Sequence, residues 1–344
     1  MRALLQHAVA DLRLADLPRP QPGPGEVLIR IRSVTICASD LHIYREGNVG
    51  GVSWDRPFVP GHEAAGEIVD PNGSDFALGT HVVFDPAIPC RACEQCAAGR
   101  MHLCRDLRFC DLPPTDGAMQ EFLAWPATQV FAIPERVDLV AAPLFEPLCV
   151  AVHATRLAPD LMGATVFVAG CGGVGLLTVQ MARIRGAKTV YASDPIPERL
   201  ALARQMGAES RREAEPETAG WKPALPDACA PSDVDVAFEA AGPPEAVQQC
   251  LDAVRPGGTV IVIGIPSEDH YALRPSQLRR HELTLRFCHR QNDNYPEAIS
   301  LVSEGKIQLD PLLTHRFPVE RAQEAFALAE AKVEGAVRVA VTFD

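Results

Sequence analysis

An α/β fold in two units is predicted for this chain: a doubly wound parallel sheet with helices on its faces, preceded by a mostly β unit. Three observations carry this. From Ala164 onward short apolar runs alternate with helix-length amphipathic stretches, the rhythm of strand-helix units that build a parallel sheet. A G-x-G-x-x-G run sits where the first of those strands would meet its helix. The first third instead holds short strand-like runs cut by Gly, Pro, Asp and Asn, with few stretches that resemble long helices.

In the opening third, residues 27–34 partly alternate after the turn-forming Pro22-Gly23-Pro24-Gly25, and 64–69 and 79–84 add short strands. A helix over 146–157 leads into the second unit. There 165–169, 189–192, 234–238 and 259–263 read as strands, and 174–185, 198–206 and 244–254 read as helices. Residues 211–232, rich in Pro, Ala and Glu, read as a helix fragment plus surface loop. Helices over 295–303 and 319–331 and a strand over 337–341 close the chain.

With 344 residues, 47% of them apolar and only 6% aromatic, the chain can fill two aliphatic cores. Thirty-two basic against forty-four acidic residues give a formal charge of -12, with no concentrated Lys/Arg stripe. Nucleic acid is therefore excluded as an expected partner. No run of eighteen apolar residues and no signal-like start are found, so no membrane partner is expected and a cytoplasmic location follows by default. The cysteine count of 11 is odd, and four cysteines crowd into one short stretch. That favours metal chemistry in a reducing compartment over a disulfide scaffold.

Cys90, Cys93, Cys96 and Cys104 form C-x2-C-x2-C-x7-C. Four thiolates in one loop suit a closed, tetrahedral structural zinc; an iron-sulfur cluster is the alternative occupant. With every apex filled by sulfur, such an ion organises a lobe and performs no chemistry. Catalysis is expected elsewhere, and Cys37, the pair His62-Glu63 and Glu146 offer a mixed S, N and O set. Three protein groups would leave a fourth position for water or an alcohol oxygen. Each also has a structural reading. Cys37 could be a small core residue, His62 a bonded turn residue and Glu63 a solvated one, while Glu146 could simply favour a helix N-terminus.

The fingerprint is Gly170-Cys171-Gly172-Gly173-Val174-Gly175. Gly170 permits the tight turn, Gly172 lets a pyrophosphate approach the backbone, and Gly175 permits close helix-strand packing. The phosphates would rest on the helix N-terminus around Gly173 and Val174. Asp194, nineteen residues beyond Gly175, ends the next strand. A carboxylate there accepts from both ribose hydroxyls and repels a 2'-phosphate, so NAD is expected over NADP, while nearby Arg199 could instead pair with a phosphate. Gly242 and Gly264 end later strands and offer backbone to the same cofactor.

Gly61-His62-Glu63, the four-cysteine lobe, the fingerprint and Cys37-Ala38-Ser39-Asp40-Leu41-His42 together resemble the zinc-containing medium-chain dehydrogenases over nearly the whole chain. Glu146-Pro147-Leu148 and Thr314-His315-Arg316-Phe317 look most similar to the sorbitol and xylitol branch. The resemblance implies a GroES-like catalytic domain over 1–150 with a structural-zinc lobe at about 88–106, a Rossmann NAD domain over 151–286, and a return segment over 287–344. It implies about two zinc ions per chain, one structural and one catalytic, and NAD. Cys37 and His62 would bind catalytic zinc. Glu63 would be a direct or switchable ligand, and Glu146 would hold the zinc-bound water or replace it. Cys149, three residues beyond Glu146, is a rival ligand. Ser39 and His42 match a proton relay, and Tyr44 and Arg290 match substrate-pocket positions. The implied reaction is oxidation of a secondary alcohol, a polyol or sugar derivative, with hydride transfer to nicotinamide C4. A homodimer or homotetramer is expected.

Two stretches depart from that pattern: Gln291 stands where an aromatic follows Arg290, and residues 48–55 replace a short glycine-rich loop. A threonine-type amino alcohol, a butanediol and a simple secondary alcohol therefore remain alternative substrates. A zinc-free enone or quinone reductase and a non-catalytic, zinc-stabilised dinucleotide-binding protein are more distant alternatives.

Overall fold

The computed structural model describes residues 1–49, 51–54, 56–209, 231–266 and 270–344. The described chain forms two compact units, Met1–Glu146 with Tyr295–Asp344, and Pro147–Asn294. The first unit is therefore interrupted by the second and completed by the C-terminal segment. Its boundaries fall at 146/147 and 294/295, where the sequence points to 150/151 and 286/287. The later boundary moves because the preceding stretch is tied inward. Strand Thr284–Phe287 joins the sheet of the second unit, and Asn294 Nδ2 donates to the Cys149 carbonyl at 3.0 Å.

The first unit is built on a seven-stranded sheet. Its long central strand Glu26–Thr35 is almost wholly buried, as the apolar run Val27-Leu28-Ile29 and the inward Ile31 and Val34 require. On one side it pairs antiparallel with Glu63–Asp70, so that Thr35 lies opposite Glu63. On the other it pairs with Arg338–Thr342, which sets Ala340 opposite Thr35. The return segment thus supplies a strand to the heart of this unit. That pairing brings Glu63 and Arg338 to the same end of one strand.

Helix Ala38–Glu46 follows the central strand directly and is not anticipated from the sequence. Its start is held by Asp40, whose Oδ2 accepts the Cys37 backbone N–H at 2.8 Å, and its end by Gly47 in the left-handed conformation. Periodicity is a weak guide to nine residues that bury only Asp40, Ile43 and Tyr44.

The second unit carries a parallel sheet in the order Thr189–Ser193, Thr165–Ala169, Val234–Glu239, Val254–Val262, Thr284–Phe287. Glu209 bridges in parallel to Tyr191 and extends the sheet by one further position. The strand order reverses between Thr165–Ala169 and Val234–Glu239, which leaves a crevice at their carboxyl ends. Helices Gly173–Ile184, Pro197–Gln205 and Pro244–Ala253 cover the sheet as expected. Helix Pro275–Arg280 and strand Thr284–Phe287 are not anticipated. Their short lengths and the mostly exposed residues of that strand explain why. The expectation for residues 211–232 lies almost entirely outside the described residues. Among the described residues, no helix is long and apolar enough to cross a membrane.

Candidate active site and cofactor site

Cys37, His62 and Glu63 converge, each offering a ligand atom within 4.8 Å of the others. Three steps of local structure bring them there. Cys37 ends the loop after the central strand, at the N-terminus of helix Ala38–Glu46. His62 enters strand Glu63–Asp70 from Gly61, which has a φ of 91° and is crowded by Met119 and Val34, 2.8 and 2.9 Å from where a Cβ would stand. Only glycine fits there. Glu63 then faces Thr35 across the sheet and is completely buried.

A buried carboxylate needs compensation. Thr35 Oγ1 donates to Glu63 Oε2 at 2.5 Å, and Arg338 donates to both carboxylate oxygens at 2.9 Å and to the Ile36 carbonyl at 3.1 Å. Glu63 is therefore a neutralised anion at the edge of the cluster, near enough to serve as a ligand and already held by a guanidinium. Arg338 goes unnoticed in the sequence, where it reads as one residue of a closing strand; its buried charge beside a metal-capable cluster is visible only after pairing.

The imidazole of His62 is 5% exposed, with Nδ1 2.6 Å from Asp111 Oδ2 and the ring packed against Phe109. Burial pushes its pKa down, but the charge of Asp111 and the thiol of Cys37 hold it well above its ordinary value. Asp40 is pushed up to about 8 by burial, against the opposing field of His62. Burial likewise raises Glu146 to about 7, opposed by His62 and reinforced by Glu63. Glu146 thus stands within electrostatic reach of the centre, outside the set of mutually close ligand atoms. It is a buried carboxyl neighbouring the cluster, a position that suits holding a zinc-bound water more than direct ligation. Cys149 belongs to no metal-capable cluster among the described residues.

Ser39 and His42 lie one turn apart on helix Ala38–Glu46, both half-buried. His42 Nδ1 is 3.3 Å from Arg45 and 3.5 Å from Glu46. Tyr44 packs its ring on Phe326 in the hydrophobic core, and its hydroxyl accepts from Gln323 at 2.7 Å. Two residues past His42 on a helix, it points to a different face.

The four-cysteine loop closes as its spacing predicts, with all four sulfurs within 4.8 Å of one another. Cys93 Sγ is 3.6 Å from Cys96 Sγ and 4.0 Å from Cys104 Sγ. A tetrahedron of sulfurs around zinc has edges of roughly 3.8 Å, from Zn–S bonds of about 2.3 Å. Backbone N–H groups of Arg105 and Cys96 pull Cys93 down to about 6, while burial and the neighbouring thiols push Cys96 up to about 12. Four such sulfurs ionise together only around a cation.

In the second unit, Gly175 is packed so closely that a Cβ would lie 1.9 Å from the Gly170 carbonyl oxygen. Gly172, by contrast, faces open space at the N-terminus of helix Gly173–Ile184, where a pyrophosphate could approach Gly173 and Val174. Asp194 is buried at the end of strand Thr189–Ser193, accepting from Cys171 N–H at 2.8 Å and Ile196 N–H at 2.9 Å. The charges of Asp194 and Arg199 both reach the buried Cys171 thiol, which places Arg199 beside the fingerprint. No role for Glu239 is legible in the sequence, where it only closes a strand. Its carboxylate accepts from Ala241, Gly242 and Gly264 N–H at 2.7, 2.7 and 3.2 Å, joining the two glycine turns. Arg290 is half-buried at a φ of 56° in the same unit.

Residues 23–135 match the family model described as the alcohol dehydrogenase GroES-like domain, and 173–304 match the one described as zinc-binding dehydrogenase. A sorbitol dehydrogenase from Bacillus subtilis (strain 168) is 34% identical over 334 residues, 96% of this chain and 93% of that protein. The chain belongs to the zinc-dependent medium-chain alcohol and polyol dehydrogenases. Solved structures agree. The L-idonate 5-dehydrogenase of Escherichia coli K-12 superposes with a TM-score of 0.87 at 27% identity, covering 99% of this chain and 98% of its own. A zinc-binding dehydrogenase from Sinorhizobium meliloti 1021, solved bound to NADP, gives 0.87 at 30% identity over 99% of each chain. As a member of this family the chain is an oxidoreductase with a GroES-like domain and a Rossmann-type domain.

Proposed function

We propose that this dehydrogenase oxidises a secondary alcohol of a polyol or sugar derivative to the ketone, using NAD, with one catalytic and one structural zinc per chain. The observation that carries the reading is the convergence of Cys37, His62 and Glu63 beside Glu146, separate from a closed four-cysteine lobe. The donor set fits zinc, with a soft thiolate, an imidazole and a carboxylate that another residue already neutralises. Zinc bound there supplies Lewis-acid polarisation and lowers the pKa of an alcohol oxygen.

The chain's own residues do the rest. Arg338 and Thr35 hold Glu63 at the edge of the cluster, so that its buried charge is paired where it borders the metal ligands. Glu146, held near neutrality by burial, can accept a hydrogen bond from a reacting hydroxyl or donate one to it. Ser39 and His42, one helical turn apart, form the first steps of an exit for the alcohol proton. The fingerprint and Asp194 would hold NAD, which would supply the hydride acceptor for oxidation of the alcohol to the ketone.

Asp194 favours NAD because its buried carboxylate repels a 2'-phosphate. The Sinorhizobium relative was solved with NADP, and Arg199 lies beside the fingerprint, so cofactor choice is part of the test. Arg290 is assigned to substrate hydroxyls. The exposed edge strand Thr284–Phe287, with Phe287 58% exposed, suits contact with a second copy and supports a homo-oligomer. The gathering of four cysteines into one metal-ligating loop accords with a reducing, cytoplasmic setting.

The deciding experiment is a panel of polyols, sugar acids, a butanediol, threonine and simple secondary alcohols with NAD and NADP, read by absorbance of the reduced cofactor. Polyols with NAD should lead, and Asp194→Ala should weaken NAD and admit NADP. Turnover confined to threonine or a butanediol refutes the substrate class; equal use of both cofactors by the unaltered protein refutes the assignment to Asp194.

A further inference from the structure

An imidazole that ligates a metal through one nitrogen must present an N–H at the other, and a buried N–H without an acceptor is costly. Two carboxylates lie on the Nδ1 side of His62. Asp111 Oδ2 is 2.6 Å away, whereas Asp40 Oδ1 is 4.0 Å away, beyond hydrogen-bond reach. The other oxygen of Asp40 is committed to the Cys37 backbone N–H, where it caps helix Ala38–Glu46. Asp40 therefore serves the helix that carries Cys37, and Asp111 serves the imidazole.

The segment that carries Asp111 is built to hold it there. The Cys110 N–H donates to the Pro86 carbonyl at 2.9 Å, and the Leu112 N–H closes a turn on the Phe109 carbonyl at 3.1 Å. Within that turn Asp111 takes a left-handed backbone, φ 71°, a conformation that Asp tolerates better than most residues. Phe109 packs against the ring in a tilted arrangement, centroids 5.3 Å apart, so neighbouring residues of one segment both contact the imidazole. His62 and Asp111 side chains are only 6% and 3% exposed, which leaves little room for water to replace the carboxylate.

We propose that Asp111 is the positioning residue of the catalytic metal centre: it accepts the Nδ1 proton of His62, fixing the tautomer and the ring so that Nε2 is the ligand atom. This deepens the reading of Cys37 and His62 as metal ligands and rests on it. Asp111 touches neither substrate nor cofactor; it acts through His62.

The test reads metal affinity as well as turnover. Full-length protein loaded with zinc is titrated with a chromophoric chelator, and a cobalt-substituted sample reports the geometry of the open site by its visible absorption. In Asp111→Ala the weaker-held metal should be lost about 10- to 100-fold more readily, with an altered cobalt spectrum and the four-cysteine metal retained. Asp111→Asn, which keeps the volume and one acceptor oxygen, should fall between that variant and the parent, and it decides the matter if Asp111→Ala does not fold. Asp40→Asn, which keeps an acceptor for the Cys37 N–H, should cost less metal affinity than Asp111→Asn. Parent-like affinity and spectrum in Asp111→Asn, or in a folded Asp111→Ala, overturn the proposal, as does loss of metal in Asp40→Asn alone. A parent protein that holds a single metal, on the four cysteines, overturns the metal reading beneath it instead.

Discussion

The four-cysteine lobe and the Cys37–His62 centre both gather side chains of the metal-ligating kind, by opposite routes. The lobe draws every ligand from residues 90–104, on a largely exposed loop whose cysteines are half-buried. The centre draws Cys37, His62 and Glu63 from two segments and completes itself with Arg338, 275 residues from Glu63 in sequence. One is a local knot; the other depends on sheet register. The lobe satisfies its ligands with one another and with nearby backbone N–H groups, such as Cys93 N–H to Cys90 Sγ at 3.4 Å. In the centre, each charged group needs a partner from elsewhere, because burial leaves no water to serve.

The sharpest separation should come from Cys37→Ser. Turnover should fall by about 10²–10³-fold or more, the scale on which loss of one electrostatic catalytic group is felt, while bound zinc drops by about one per chain and the thermal midpoint barely moves. Unchanged turnover would break the assignment of chemistry to this centre. Arg338→Met should act differently, because it strands the Glu63 carboxylate without its cation. The expected cost is about 3–5 kcal/mol of stability, measured by denaturant unfolding, and the double variant with Glu63→Gln should recover part of it. A loss no greater than that of a surface substitution would mean the buried pair is not what the geometry indicates. Cys104→Ser should give the smallest effect on chemistry: one zinc fewer and a lower thermal midpoint, with kcat per folded molecule close to the parent. A collapse of kcat in that variant, with the midpoint unchanged, would reverse the comparison.

The same contrast governs what is legible in the chain before it folds. Strand Thr165–Ala169 and helix Tyr295–Ser303 coincide with the expected 165–169 and 295–303, because apolar patterning and Gly punctuation are properties of neighbouring residues. The fingerprint is legible for that reason, since the tight contact of Gly175 with Gly170 lies within six residues. Helix Ala38–Glu46 escapes because its start rests on an Asp40 cap to Cys37, which few apolar positions announce. The packing of Tyr44 on Phe326 and its bond to Gln323 are likewise visible only once the C-terminal segment is folded against the helix.

Composition and short-range spacing thus settled the two-unit α/β architecture, the closed sulfur lobe and the glycine cradle, each of which is a matter of residues close in the chain. The partners of the buried centre were a different matter. Arg338 reaches Glu63 only because strand Arg338–Thr342 lies beside Glu26–Thr35, and Asp111 reaches His62 only because a turn after Phe109 is pinned to Pro86. Neutralising a charge away from water demands contact within a few ångströms, and contact between distant residues is set by register and packing, which no local pattern encodes.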